Sequence, residues 1–238
     1  MSSIRKKLRK FVPLPIQALH WKYFKSKVQR FENKTTGEVF SEIYKGRYWG
    51  DDESVSGVGS SKSETENISL RLPELLSEYR LKSMLDIPCG DFYWMKDVNR
   101  SNVNYIGADI VQELADENNR KYQKPGIQFT KLDITIDLLP EVDLIFCRDC
   151  LVHLAEDKVF AAITNIKKSG SKYLLTTTHT ERSWNREIIT GDWRPLNLEA
   201  APFNFPKPIY SIPDSKLKET KDKVMALWRI KDLPTYSK

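Results

Sequence analysis

Several short apolar runs in this sequence end on an acid or a glycine turn. Asp86 opens Asp86-Ile-Pro-Cys-Gly-Asp91; Asp109, Asp133 and the pair Arg148 and Asp149 close later runs. If these runs are parallel strands of one sheet, their carboxyl ends share an edge, and open α/β sheets bind ligands along that edge. A row of carboxylates there suits a nucleoside with a free ribose, an exocyclic amine and a cationic amino-acid tail. Asp109 is placed to accept both ribose hydroxyls and Asp133 to accept from the amine. Gly90 lets the backbone approach without a Cβ in the way. Acids at strand ends also cap the helices that follow, so the weight rests on the whole ordered set.

The elements needed to position these residues are legible as changes of period. Ile68, Leu72, Leu75 and Leu76 have helical spacing and predict a helix over 64–79. Apolar runs predict strands over 83–87, 105–110, 129–133, 142–148 and 172–178, with helices over 92–98, 113–122 and 158–167 between them. This alternation predicts an α/β fold with a mostly parallel sheet and helices on both faces. Beyond Thr180 the chain reads as irregular until a closing strand over 224–230. Residues 40–62, rich in glycine, serine and aromatics, read as a loop.

Composition narrows the classes. A chain of 238 residues with 40% hydrophobic content can bury one core. No run of 18 apolar residues occurs, so no membrane-spanning helix is expected, and the basic N-terminus does not read as a secretory signal. Three cysteines are too few for a disulfide framework, which predicts a reducing, cytoplasmic setting. The net charge of +6 is concentrated: residues 1–34 hold ten basic residues and one acid, leaving 28 basic against 31 acidic residues in the remainder, a net of −3. Such a body does not suit a phosphate backbone, which argues against nucleic acid as partner. The basic arm (1–36) also carries aromatics. It reads either as a segment lying on the inner membrane face or as a solvated arm packing on the domain.

The motifs are more specific than the pattern. Leu85-Asp-Ile-Pro-Cys-Gly-Asp91, Tyr105-Ile-Gly-Ala-Asp109 and Leu132-Asp133-Ile134 resemble the first three motifs of class I S-adenosylmethionine-dependent methyltransferases. Longer stretches resemble a bacterial group associated with surface-polysaccharide genes: Trp49-Gly-Asp-Asp-Glu-Ser-Val-Ser-Gly-Val-Gly-Ser60, Cys147-Arg-Asp-Cys-Leu-Val-His153 and Trp193-Arg-Pro-Leu-Asn-Leu-Glu-Ala-Ala-Pro-Phe203. The resemblance spans residues 37 to 233. It departs at Pro88 or Cys89, one of which stands where the family has glycine, so the turn is stiffer here. No G-x-G-x-x-G follows the first strand, which counts against a nicotinamide dehydrogenase.

The resemblance implies a Rossmann-like, seven-stranded domain over 37–238 with S-adenosyl-L-methionine as cofactor. Its contacts would come from Asp86, Pro88, Cys89, Gly90, Asp91, Asp109, Ile110, Asp133, Ile134 and Arg148. A lid over 48–62 would add Trp49, Gly57, Gly59 and Ser60, although its glycines also suit an ordinary surface connection. The acceptor is expected to be a glycan, a glycan precursor or another small molecule, methylated on oxygen, or alternatively on nitrogen or sulfur; a cofactor-binding module without turnover is the third reading. A hydroxyl acceptor benefits from a general base. His153 is the candidate, with helix capping or packing beside Leu151 and Leu154 as the alternative. Arg148 and Asp149 are candidates to grip cofactor or acceptor, or to pair and order the loop. No metal is expected, since Asp143 should lie at the far end of its strand from Asp149. In an acceptor-side insertion over 181–210, Trp184, Trp193, Phe203 and Phe205 either stack on sugar faces or form core. His179 and the Cys147–Cys150 pair read as structural.

Overall fold

The computed structural model describes residues 29–216 and 220–236. The arm before residue 29, including His20 and the membrane-facing reading, lies outside the described residues.

A seven-stranded sheet runs in the order β3-β2-β1-β4-β5-β7-β6. Its strands are β1 (Ser83–Asp86), β2 (Asn104–Asp109), β3 (Ile127–Lys131), β4 (Leu144–Cys147), β5 (Tyr173–His179), β6 (Tyr210–Pro213) and β7 (Lys223–Arg229). The pairs among β1 to β5 are parallel, and β7 lies antiparallel between β5 and β6. Strand order reverses between β1 and β4, which opens a crevice at their carboxyl ends.

Parallel strands are buried on both faces, and alternate residues divide between two cores. Leu85, Ile145 and Leu174 join Val159, Ala162, Ile163 and Ile166 of α4 (Glu156–Lys168). Met84, Leu144 and Leu175 join Ile68, Leu72, Leu75 and Leu76 of α2 (Lys62–Glu78). A one-residue change of register would exchange these partners. Helix α3 (Gln112–Tyr122) links β2 to β3. Among the described residues, no helix is long and apolar enough to cross a membrane.

Four expectations need correction. Residues 92–98 form turns with one short 3-10 segment at Met95–Asp97. Phe92, at φ 57°, cannot enter a right-handed helix, and its ring packs on Tyr105 and Phe129. Residues 40–45 are not loop but the end of α1 (Thr36–Lys45), which starts on a capping box between Thr35 and Glu38. The third strand ends at Lys131, and Asp133 lies in the turn beyond it, held by the Thr135 N–H and hydroxyl at 2.8 and 2.6 Å. Strand β6 lies in the region read as irregular. It is short, and its weak signal, Tyr210-Ser-Ile-Pro213, depends on pairing with β7.

Candidate active site

A cavity of about 640 Å³ opens at the carboxyl edge of β1, β2 and β4. Asp86, Asp109 and Asp133 border this one cavity, with Pro88, Cys89, Gly90, Asp91, Ile110 and Ile134 around them. Trp49, Gly57, Gly59 and Ser60 border it from the segment before α2, and Arg148, Asp149 and His153 from the end of β4.

At the Asp86 end of the cavity, burial raises the proton affinity of two carboxyls. Asp86 accepts a 2.6 Å bond from the Tyr105 hydroxyl, yet burial still raises its carboxyl to about 7. Asp109 accepts the Gly90 and Val111 N–H groups at 3.1 and 2.9 Å, and burial raises it to about 6. Buried carboxylates with raised proton affinity gain from a positively charged ligand, which favours their ionised forms. S-adenosylmethionine carries that charge, and the residues expected to meet its hydroxyls and amine, Asp109 at the end of β2 and Asp133 in the turn beyond β3, border the same cavity. Gly90 is required by the protein's own packing: its φ is 55°, and a Cβ there would stand 2.2 Å from Ser56 Oγ. Burial pushes the Cys89 thiol well above its ordinary range, so this residue is no nucleophile.

Two residues offered as ligand contacts also hold partners within the protein. Arg148 is buried and donates through Nε to both oxygens of Asp214 at 3.1 and 2.9 Å, and through Nη1 to the Gly59 carbonyl at 2.9 Å. Its Cζ lies 5.7 Å from the Trp94 ring centroid. The guanidinium therefore ties the 49–60 segment to the far edge of the sheet through Nε and Nη1, while its buried Nη2 has no hydrogen-bond partner among the described residues. Asp91 is likewise engaged: Ser54 Oγ donates to it at 2.9 Å and Val55 N at 3.0 Å.

Asp149 does not suit base catalysis either. Its Oδ1 accepts from Thr177 and its Oδ2 from Lys223 at 2.6 Å. Burial alone would raise its carboxyl, but Lys223 and Arg148 outweigh it and hold the group far below the ordinary carboxylate range. Asp143 sits at the opposite end of β4, bonded to the Lys82 and Ser83 N–H groups and to Lys172.

His153 follows β4 in a short 3-10 turn, half-buried in the cavity wall. Its Nδ1 stands 2.8 Å from the Asp192 carbonyl oxygen. A carbonyl only accepts, so Nδ1 carries the proton and Nε2 keeps its lone pair. Burial lowers the imidazole below its ordinary value, partly opposed by the Asp192 carbonyl and Asp149, so the neutral form prevails near pH 7. The Trp49 ring lies against it, centroids 4.4 Å apart. Of the insertion aromatics, only Trp193 borders the cavity; Phe203 and Phe205 are core, and Trp184 lies in a separate shallow groove with Arg182 and Arg186. His179 is buried, its Nδ1 accepting from Leu196 N.

Sequence reasoning missed Lys223, Asp214, Tyr105 and Ser54. Each acts through a partner 19 to 74 positions away; Tyr105, inside the second motif, and Ser54, inside the 49–60 stretch, carried a local signal, and Lys223 and Asp214 carried none.

Residues 85–175 match the sequence profile of a methyltransferase domain family. No curated protein sequence matches the chain. Solved structures share its fold at low identity. The 1,6-didemethyltoxoflavin-N1-methyltransferase of Burkholderia thailandensis is 15% identical, with a TM-score of 0.59, over 87% of this chain and 89% of that one. The N-methyltransferase NodS of Bradyrhizobium japonicum WM9, with S-adenosyl-L-homocysteine, is 16% identical with a TM-score of 0.55, over 79% and 98%. Magnesium protoporphyrin IX methyltransferase of Synechocystis PCC 6803, with bound S-adenosylmethionine, is 13% identical with a TM-score of 0.54, over 82% and 97%. With a methyltransferase domain spanning β1 to β5 and a cavity suited to a sulfonium nucleoside, the chain is an enzyme of the class I fold, an S-adenosylmethionine-dependent methyltransferase.

Proposed function

We propose that this enzyme methylates a hydroxyl oxygen of a glycan or glycan precursor, with His153 as general base. The observation that carries the reading is the 2.8 Å contact between His153 Nδ1 and the Asp192 carbonyl, which leaves Nε2 as a proton acceptor at the cavity wall. When bound, S-adenosylmethionine supplies an electrophilic methyl carbon on a sulfonium leaving group. A hydroxyl is a poor nucleophile until its proton begins to leave, and a neutral imidazole takes that proton near pH 7. Asp149 stays ionised and paired, and stabilises the imidazolium that forms. Trp49, Tyr48 and Trp193 give this side of the cavity aromatic faces, which suit the C–H surface of a sugar ring.

The segment 48–62 is read as a lid over the cofactor. The arm over 1–36 is read as holding the enzyme at an anionic, cytoplasmic membrane surface, where glycan precursors are within reach.

The test supplies tritiated S-adenosylmethionine with surface saccharide fractions, small metabolites and RNA in parallel. Label is expected in the saccharide fraction. His153→Gln is expected to slow single-turnover transfer to that fraction by roughly 10²–10⁴-fold while S-adenosylhomocysteine affinity stays within about twofold of the parent. Label confined to amines or thiols of small metabolites, or undiminished transfer by the variant, sinks the reading.

A further inference from the structure

Among the described residues the imidazole of His153 has one hydrogen bond holding it, and one bond by itself does not fix the turn of a ring about that contact. The second constraint is the Trp49 indole, inclined at 32° to the imidazole with centroids 4.4 Å apart. Trp49 in turn packs on Phe40, centroids 5.7 Å apart, and on the small core of Phe31, Val39 and Ile43 beside α1.

The chain after Trp49 folds back on it. Gly57 has a φ of 94°, and a Cβ there would lie 2.8 Å from the Trp49 carbonyl oxygen. From this turn, Ser54 and Val55 reach Asp91 in the first-strand turn, and the Gly59 carbonyl takes the Arg148 bond. The segment is thus fastened to the cofactor side of the cavity by Asp91 and Arg148, and to the acceptor side by Trp49.

We propose that Trp49 is a positioning residue for His153: closing the 49–60 segment seats the indole on the imidazole and holds the ring with Nε2 toward the acceptor. The inference rests on His153 acting as base. Closure over the cofactor and completion of the base then become one event, so the base is disordered whenever the segment is open. The charged groups around the ring are Asp149 and Lys223 from the sheet side and Asp192 from the segment before β6.

The test reads His153 directly, without an acceptor. The chain has three histidines, so imidazole ¹⁵N spectra of labelled enzyme with S-adenosylhomocysteine are assigned by comparison with His153→Gln. The parent is expected to show the Nδ1–H tautomer and a titration midpoint below 6.5. In Trp49→Leu the tautomers are expected to mix and the midpoint to move up toward 6.5, while Trp49→Phe restores the parental signal. Asp91→Asn keeps the indole but loosens the fastening, and is expected to move the signal the same way; it decides the matter if Trp49→Leu fails to fold. A parental tautomer and midpoint in these loosened variants overturns the proposal. If that result accompanies lost transfer by His153→Gln, the base reading stands and only the positioning role falls.

Discussion

A buried carboxylate is held at a cost to the fold, and Asp86 shows the sign of that cost. Its carboxyl rises from an ordinary 3.8 to about 7 because burial disfavours the charge, despite the Tyr105 bond. A folded-state value above the unfolded one means that the group's contribution to stability is full below pH 3.8 and is lost as pH rises through about 7. Asp86→Asn removes the titration. The variant is therefore expected to be more stable than the parent at pH 8, by up to about 4 kcal/mol at roughly 1.36 kcal/mol per pKa unit, and so to melt higher there, and to match it near pH 4. Its affinity for S-adenosylmethionine is expected to fall. Thermal melts at the two pH values and calorimetry check both; a variant no more stable at pH 8 contradicts this account. His153 runs the other way: its lowered value keeps it neutral and able to accept a proton at the same pH.

Between elements, the site depends on bonds that cross the sheet. Asp214, fully buried just beyond β6, takes Arg148 from the end of β4 and Lys223 from the start of β7 at 2.9 and 3.2 Å. Arg148 then passes the constraint to Gly59 before α2. Buried Arg148 and half-buried Lys223 share Asp214 and Asp149, so removing one carboxylate leaves an uncompensated charge. Asp214→Asn is expected to destabilise the protein by roughly 3–5 kcal/mol, measured by denaturant unfolding. It is also expected to loosen the 49–60 segment, read as faster amide exchange at Gly59 and Ser60. A loss below about 1 kcal/mol would mean that the network is no better than a surface pair.

At the scale of the molecule, charge is divided between a basic N-terminal stretch and a slightly acidic remainder. The described residues from α1 onward carry both cores and the cavity, so deleting residues 1–28 is expected to leave the melting temperature and S-adenosylhomocysteine affinity near parental. The same deletion is expected to abolish sedimentation with vesicles of anionic lipid; unchanged sedimentation removes the membrane role.

The sequence by itself determined the order of strands and helices and placed Asp86, Gly90, Asp109 and Asp133 at one edge. Those features follow from local period and from the rule that parallel strands bring their carboxyl ends together, and both are written in neighbouring residues. It misplaced what depends on single backbone angles or distant pairing, such as the turns at 92–98, where Phe92 takes a positive φ, and the edge strand β6. Only the tertiary structure decided how the charged residues act. Arg148 and Asp149 read alike in the sequence, and only the fold shows Asp214, Gly59 and Lys223 bonded to them, with Arg148 Nη2 left unpartnered among the described residues. His153 could not be told from a helix cap until the Asp192 carbonyl fixed its proton. The reason is physical: a side chain's charge, tautomer and free lone pairs are set by the groups facing it, and here those groups come from far along the chain.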